Sequence, residues 1–164
     1  MGTPVLTSCI DNVQAALLTI TEANGYWDTV AAAYKMGGTA PDIRNASLPV
    51  ALIHVSNPEL VRRGAAGGVE LIDRKVGVAV GMVTQKPLEE AGDADWEQEE
   101  AMRMEAAITK AIIADRQRGG FAIDTKYRVT NFFPEDLSEF PVSVAVIFEL
   151  EYRTREGDFE EMSA

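Results

Sequence analysis

A single histidine, His54, and a single cysteine, Cys9, are the side chains best suited to proton transfer, nucleophilic attack or soft-metal binding at neutral pH. His54 lies inside the apolar run Leu48–Val55, and no G-x-S-x-G turn offers it a serine partner. It reads as a half-buried strand residue. Cys9 has no second cysteine or histidine at zinc-ligand spacing and no partner for an internal disulfide. It reads as a small packing residue near the first turn of a helix. The acids Glu89, Glu90, Asp93, Asp95, Glu97, Glu99 and Glu100 form a dense run, but their order lacks the alternating oxygen ligands of an EF-hand loop. They read as a solvated loop leading into an acidic first helical turn. Gly64, Gly67 and Gly68 are not followed by the Lys-Ser/Thr pair of a phosphate loop. No catalytic residue, metal ligand or cofactor site is assigned, and that shortage of chemistry favours a protein that works by interaction.

Composition narrows the partners. The 164 residues suit one domain, 1–164, with enough chain to bury a core without metal or disulfide support. Lys and Arg number 15 against 26 Asp and Glu, for a net charge of −11. A surface so acidic argues against general gripping of nucleic acid or of an anionic membrane. No segment reaches the roughly 18 apolar residues of a membrane span, and Met1–Ile10 lacks the pattern of a secretory signal.

The elements around these residues follow from periodicity. Ile10, Val13, Leu17 and Ile20 share one helical face, so a helix is expected over 8–23 with Ser8 as its cap and Gly25 beyond its end. Trp27, Val30, Ala32, Tyr34 and Met36 approach the two-residue repeat of a strand. Val50–Val55 reads as a strand, Arg62–Gly68 as a mobile glycine-rich loop, and Val69–Gln85 as a long strand or hairpin whose Gly77, Ala79 and Gly81 sit close under another element. A second helix is expected from Asp95, with the stripe Ala101, Met104, Ile108 and Ile112 and a stop at Gly119-Gly120. Arg116, Gln117 and Arg118 suit the negative end of that helix. Two strands follow, Ile123–Phe133 and Val142–Tyr152. The second places Val142, Val144, Val146, Phe148, Leu150 and Tyr152 on one side, while its other side turns from apolar to charged, so its last third is expected to leave the core. From 154 onward a flexible tail is expected. The order predicts an α+β fold: a largely antiparallel sheet, two main helices packed on one face, and an extended hairpin or arm.

This layout resembles the tail terminator (tail completion) proteins of long-tailed bacteriophages and related tail-like particles. The similarity is carried by the first helix ending near Asn24-Gly25-Tyr26 and by Leu48-Pro49-Val50-Ala51-Leu52-Ile53. It is carried further by Ala111-Ile112-Ile113-Ala114-Asp115 before Gly119-Gly120, and by the last strand running into Arg153-Thr154-Arg155-Glu156-Gly157-Asp158. The resemblance implies a non-enzymatic virion protein, made in the host cytoplasm, whose copies close into a ring of six. That ring would end tube growth on the head-proximal end of the tail tube. The implied partners are further copies of itself, the tail tube protein, a head-side connector or stopper and, where present, a sheath protein, with DNA passing through the ring unread. The residues suggest how a ring would be built. Arg62, Arg63 and Arg74 lie in a candidate arm, and Glu149, Glu151 and Arg153 at the charged end of the last strand, all as candidate subunit or tube contacts. Glu89, Glu90 and Asp93 are candidate acids of the channel wall. Two other readings stay open: a stopper or adaptor on the connector side, and a small-ligand-binding α+β protein.

Overall fold

β-branched and aromatic residues at every second position make 142–155 the most strongly specified strand of the chain. In the computed structural model, which describes residues 3–36, 43, 47–66, 68–85 and 94–155, this segment is β6, Val142–Arg155. Its six alternating residues from Val142 to Tyr152 are all buried. Burying each stabilises the fold by about 1.5–3 kcal/mol. β6 runs antiparallel to β4, Val69–Thr84, in unbroken register from Leu71 opposite Arg155 to Thr84 opposite Val142.

The remaining strands line up on that ribbon. β5, Ala122–Phe132, pairs with the outer side of β6. The other side of β4 is divided between two strands. β2, Val50–Val55, takes Val78–Val83, and β3, Glu59–Ala66, takes 69–75. β1, Ala32–Lys35, lies parallel to β2 and is the one parallel pairing in this largely antiparallel sheet. The sheet is therefore mixed and six-stranded, in the order β1-β2-β4-β6-β5 with β3 beside β4.

Both helices cover one face, as the α+β reading expects. α2, Ala94–Ile113, buries the stripe Ala101, Met104, Ile108 and Ile112 against Val80, Met82, Val144 and Val146. α1, Val5–Leu18, adds Val5, Cys9, Val13 and Leu17 to the same core. Cys9 packs as expected. Among the described residues, no helix is long and apolar enough to cross a membrane.

Helix boundaries depart from expectation for identifiable reasons. Ser8 is not the cap of α1: the helix starts after Pro4 with no side-chain cap, and Ser8 is buried inside it. A residue lacking an N–H suits that position, because the first amides of a helix have no internal acceptor. α1 also ends earlier, at Leu18. Gly25, at φ 79°, closes a separate short 3-10 turn, Glu22–Asn24, which Thr21 caps by accepting from the Asn24 amide at 3.2 Å. Asp95 lies within α2 rather than capping it. Beyond α2, Gly119 and Gly120 do adopt the left-handed conformations expected of the stop, at φ 71° and 92°.

Three strand expectations are corrected. The segment from Trp27 to Met36 is a strand only over Ala32–Lys35; Trp27 is 73% exposed, and Ala33, of the opposite parity to Ala32 and Tyr34, is buried. Arg62–Gly68 is not a loop, since residues through Ala66 form β3 and only the turn to β4 remains, with Gly68 at φ 81°. The last third of β6 does not leave the core, because Tyr152 and Thr154 stay buried on the helix face; Thr154 and Arg155 are strand rather than tail, and the rest of the expected tail lies outside the described residues. Gly77, Ala79 and Gly81 lie on the opposite face. There a Cβ on Gly81 would come within 3.3 Å of Leu137 in the Glu135–Leu137 turn. This turn and Phe140 cover a small second core of Ile43, Val50, Leu52 and Val83.

Candidate assembly surface

The helix-free face changes character along β4 and β6. Its upper half is the small second core; its lower half is a lattice of charges. Alternation places Asp73 and Lys75 of β4, Glu149, Glu151 and Arg153 of β6, and Arg62 of β3 on that side. Asp73 sits at the centre. Arg153 donates to it from Nε at 2.6 Å and from Nη2 at 3.1 Å, and Arg62 from Nη2 at 2.9 Å and Nε at 3.2 Å. These hydrogen bonds, that of Arg153 foremost, hold the Asp73 carboxyl below the usual carboxylate range although the residue is only 3% exposed.

The lattice continues across the sheet. Lys75 reaches Glu59 at 3.6 Å and Glu149 at 3.9 Å, and Arg128 of β5 also pairs with Glu149. Further along β5, Arg116 makes a two-pronged bond to Asp124 at 2.8 and 2.6 Å, which pulls the pKa of that carboxyl down, and Lys126 lies 3.8 Å from it. Exposed pairs of this kind stabilise a fold by at most about 1 kcal/mol each. Their value lies in fixing where charge is displayed.

Besides the short β1, whose outer side is also open, two sides of the sheet have no strand partner among the described residues. One is the outer side of β5, where Ile123, Tyr127, Val129 and Phe132 are 39–46% exposed. Bulges after Ala122 and Tyr127 break the two-residue alternation of Ile123, Thr125, Tyr127 and Val129, so that Thr125 is buried while Ile123, Tyr127 and Val129 are exposed. The other is the outer side of β3, where Leu60 and Val61 are exposed beside a bulge. Open edges with apolar side chains are templates for pairing with another chain.

The six candidate contact residues are divided between the two faces. Arg62, Glu149, Glu151 and Arg153 come together on the helix-free face. Arg63 and Arg74 project to the other face, Arg63 3.6 Å from Glu70 and Arg74 hydrogen-bonded to the Tyr152 hydroxyl. Glu89, Glu90 and Asp93 lie outside the described residues. His54 is exposed rather than half-buried. Burial pushes the Cys9 thiol up to about 12, leaving it un-ionised and a poor nucleophile. Among the described residues, no three of His, Cys, Asp and Glu are grouped to hold a metal ion.

Two charged residues are buried that the sequence places at the surface. Glu100 is 5% exposed, and its pKa is raised to about 8, first by burial and then by Asp28 beside it, against the pull of Arg103 at 3.6 Å. The same Arg103 stacks over Trp27 at 4.7 Å, and Lys110 over Tyr26 at 4.5 Å, so the 21–30 segment is fastened to α2 by cations on rings. Arg118 is wholly buried and donates to the Ile112 carbonyl at the end of α2. It does serve the negative helix end, from inside the core rather than from solvent. In comparison with known proteins, no family model matches the chain and no curated protein matches it.

Proposed function

We propose that the chain is a structural subunit that associates head to tail with copies of itself into a ring, acting as a tail terminator of a long-tailed phage or phage-like particle. The observation that carries this reading is that two of the sheet's open edges, those of β3 and β5, are unlike and carry exposed apolar side chains. An edge of β3 meeting an edge of β5 on the next copy is a heterologous contact, and contacts of that kind generate rings when the rotation closes. The resemblance of the sequence to tail terminators supplies the rest: a ring of six on the tube end, facing a head-side connector, within the virion. The charged half of the helix-free face then offers the tube or connector a surface of fixed, alternating sign.

The test is electron microscopy of purified tail tubes incubated with the protein. The expected result is a ring at one tube end and no further elongation when tube subunits are added. Substituting Val129→Lys or Leu60→Lys, each on an open edge, is expected to abolish rings while leaving the fold intact. Binding to the portal side in place of the tube end would make the protein a stopper. A stable monomer that ignores both and retains a metabolite would remove the reading.

A further inference from the structure

A groove of about 450 Å3 separates the start of α1 from the lower half of the helix face of the sheet. Leu6, Ile10 and Val55 form its apolar wall, while Arg74, Tyr152 and Thr154 bring polar atoms to it from β4 and β6. Three observations mark it as more than a packing gap. Thr154 is 1% exposed, yet its hydroxyl has no hydrogen-bond partner among the described residues. Unmet buried hydroxyls are rare in native folds and call for an occupant. α1 opens onto the groove through Pro4, Leu6 and Thr7 with no side-chain cap and no acid in its first turn, so the positive end of its dipole is uncompensated by side chains. The groove also holds two cations, Arg74 and Lys35, in a chain of net charge −11, although Arg74 already bonds Tyr152 and Lys35 pairs with Asp11. An apolar trough with a cationic, hydrogen-bond-donating side fits an aromatic residue flanked by carboxylates.

The sequence supplies that chemistry next door. Residues 156–164, outside the described structure, read Glu-Gly-Asp-Phe-Glu-Glu-Met-Ser-Ala: four acids, no base, and Phe159 among them. Thr154 lines the groove itself, and the five residues to Phe159 span up to about 17 Å. So short a tether holds the segment at roughly millimolar effective concentration. We propose that this groove is the docking site of the segment 156–164 of the same chain, with Phe159 against Leu6 and Ile10 and neighbouring carboxylates toward Arg74, Thr154 and the first turn of α1.

Nuclear magnetic resonance of the full-length protein tests this, comparing it with Phe159→Ala and with a variant in which Asp158, Glu160 and Glu161 become Asn, Gln and Gln. Each substitution lies after β6, so a retained single cooperative melting transition serves as the folding control. The expected result is that both variants shift the amide signals of Leu6, Thr7, Ile10 and Thr154 more than signals elsewhere in 3–153, equally in dilute and concentrated samples. Raised salt should move the wild-type signals in the same direction. Changes confined to residues 155–163 would overturn the proposal. Groove shifts that appear only on concentration would assign the site to the segment of a second copy and overturn docking within one chain.

Discussion

The two faces of one sheet answer to different physics although the same strands build them. On the helix side, Val76, Val78, Val80 and Met82 of β4 meet Val144, Val146, Phe148 and Leu150 of β6 beneath two helices, and all eight are buried. On the other side the same strands show small residues under a short turn, and then Lys75 paired with Glu149 and Arg153 with Asp73, all but Asp73 partly open to solvent. The first face holds the molecule together through apolar area removed from water. The exposed pairs on the lower half of the second contribute little to stability and display a pattern. A surface that is ordered without being needed for folding is free to serve recognition, and the comparison can be broken at named positions.

The largest expected effect belongs to the helix side. Phe148→Ala should cost about 3–5 kcal/mol in urea unfolding, since it removes a buried ring at the centre of the ribbon. Asp73 comes next, being the one member of the lattice that is itself buried. Asp73→Asn should cost about 1–3 kcal/mol by weakening its charged hydrogen bonds to Arg62 and Arg153. Because the folded-state pKa of Asp73 is lowered, its stabilisation is present above the ordinary carboxylate pKa and lost as pH falls through the folded value. Unfolding followed below about pH 4 should therefore show a shallower acid loss in the variant than in the wild type.

Glu100 gives the opposite sign. With its folded pKa raised to about 8 from 4.5, the folded state holds a proton that the unfolded chain releases, so stability declines as pH rises between those values and levels above them. The groups facing it are Asp28, which deepens the decline, and Arg103, itself shared with Glu99, which opposes it. Glu100→Gln should flatten the melting temperature over that interval, and an unchanged slope would show that the carboxyl is already ionised in the fold. The smallest effect is expected for Glu149→Ala, below about 1 kcal/mol. If it instead matched Phe148→Ala, the open face would be a structural surface and its role in recognition would lapse.

What the sequence discloses follows the same division. The stripes of α2 and β6 are legible because one apolar face at one period admits one reading. β3 is not, because Gly64, Ala65 and Ala66 have weak strand preference, and their extended form comes from pairing with 69–71 of β4, a tertiary effect. The short β1 misleads in another way: Tyr34 and Met36 face the second core and Ala33 the first, so neither parity is polar. In the candidate site, the charges at the end of β6 are visible in the sequence, and alternation alone parts Arg62 from Arg63, but which of the two shares a face with Asp73 is set by a bulge between Leu60 and Arg62. Glu100 and Arg118 were beyond reach because charged residues read as surface unless their neighbours are known. Those neighbours, Asp28 and the end of α2, come from elsewhere in the fold.

The pairing of β4 with β6 over 14 consecutive positions has a mechanical corollary. A two-stranded ribbon of that length measures about 45 Å, and no break in register interrupts it. One part is clamped between two cores, while the remainder, with β3 attached, keeps Ile72, Tyr152 and Thr154 buried on its helix face and carries the charges on the other. With no bulge between β4 and β6, a displacement near Gly68 would be shared by both strands along their length toward the part beneath α2.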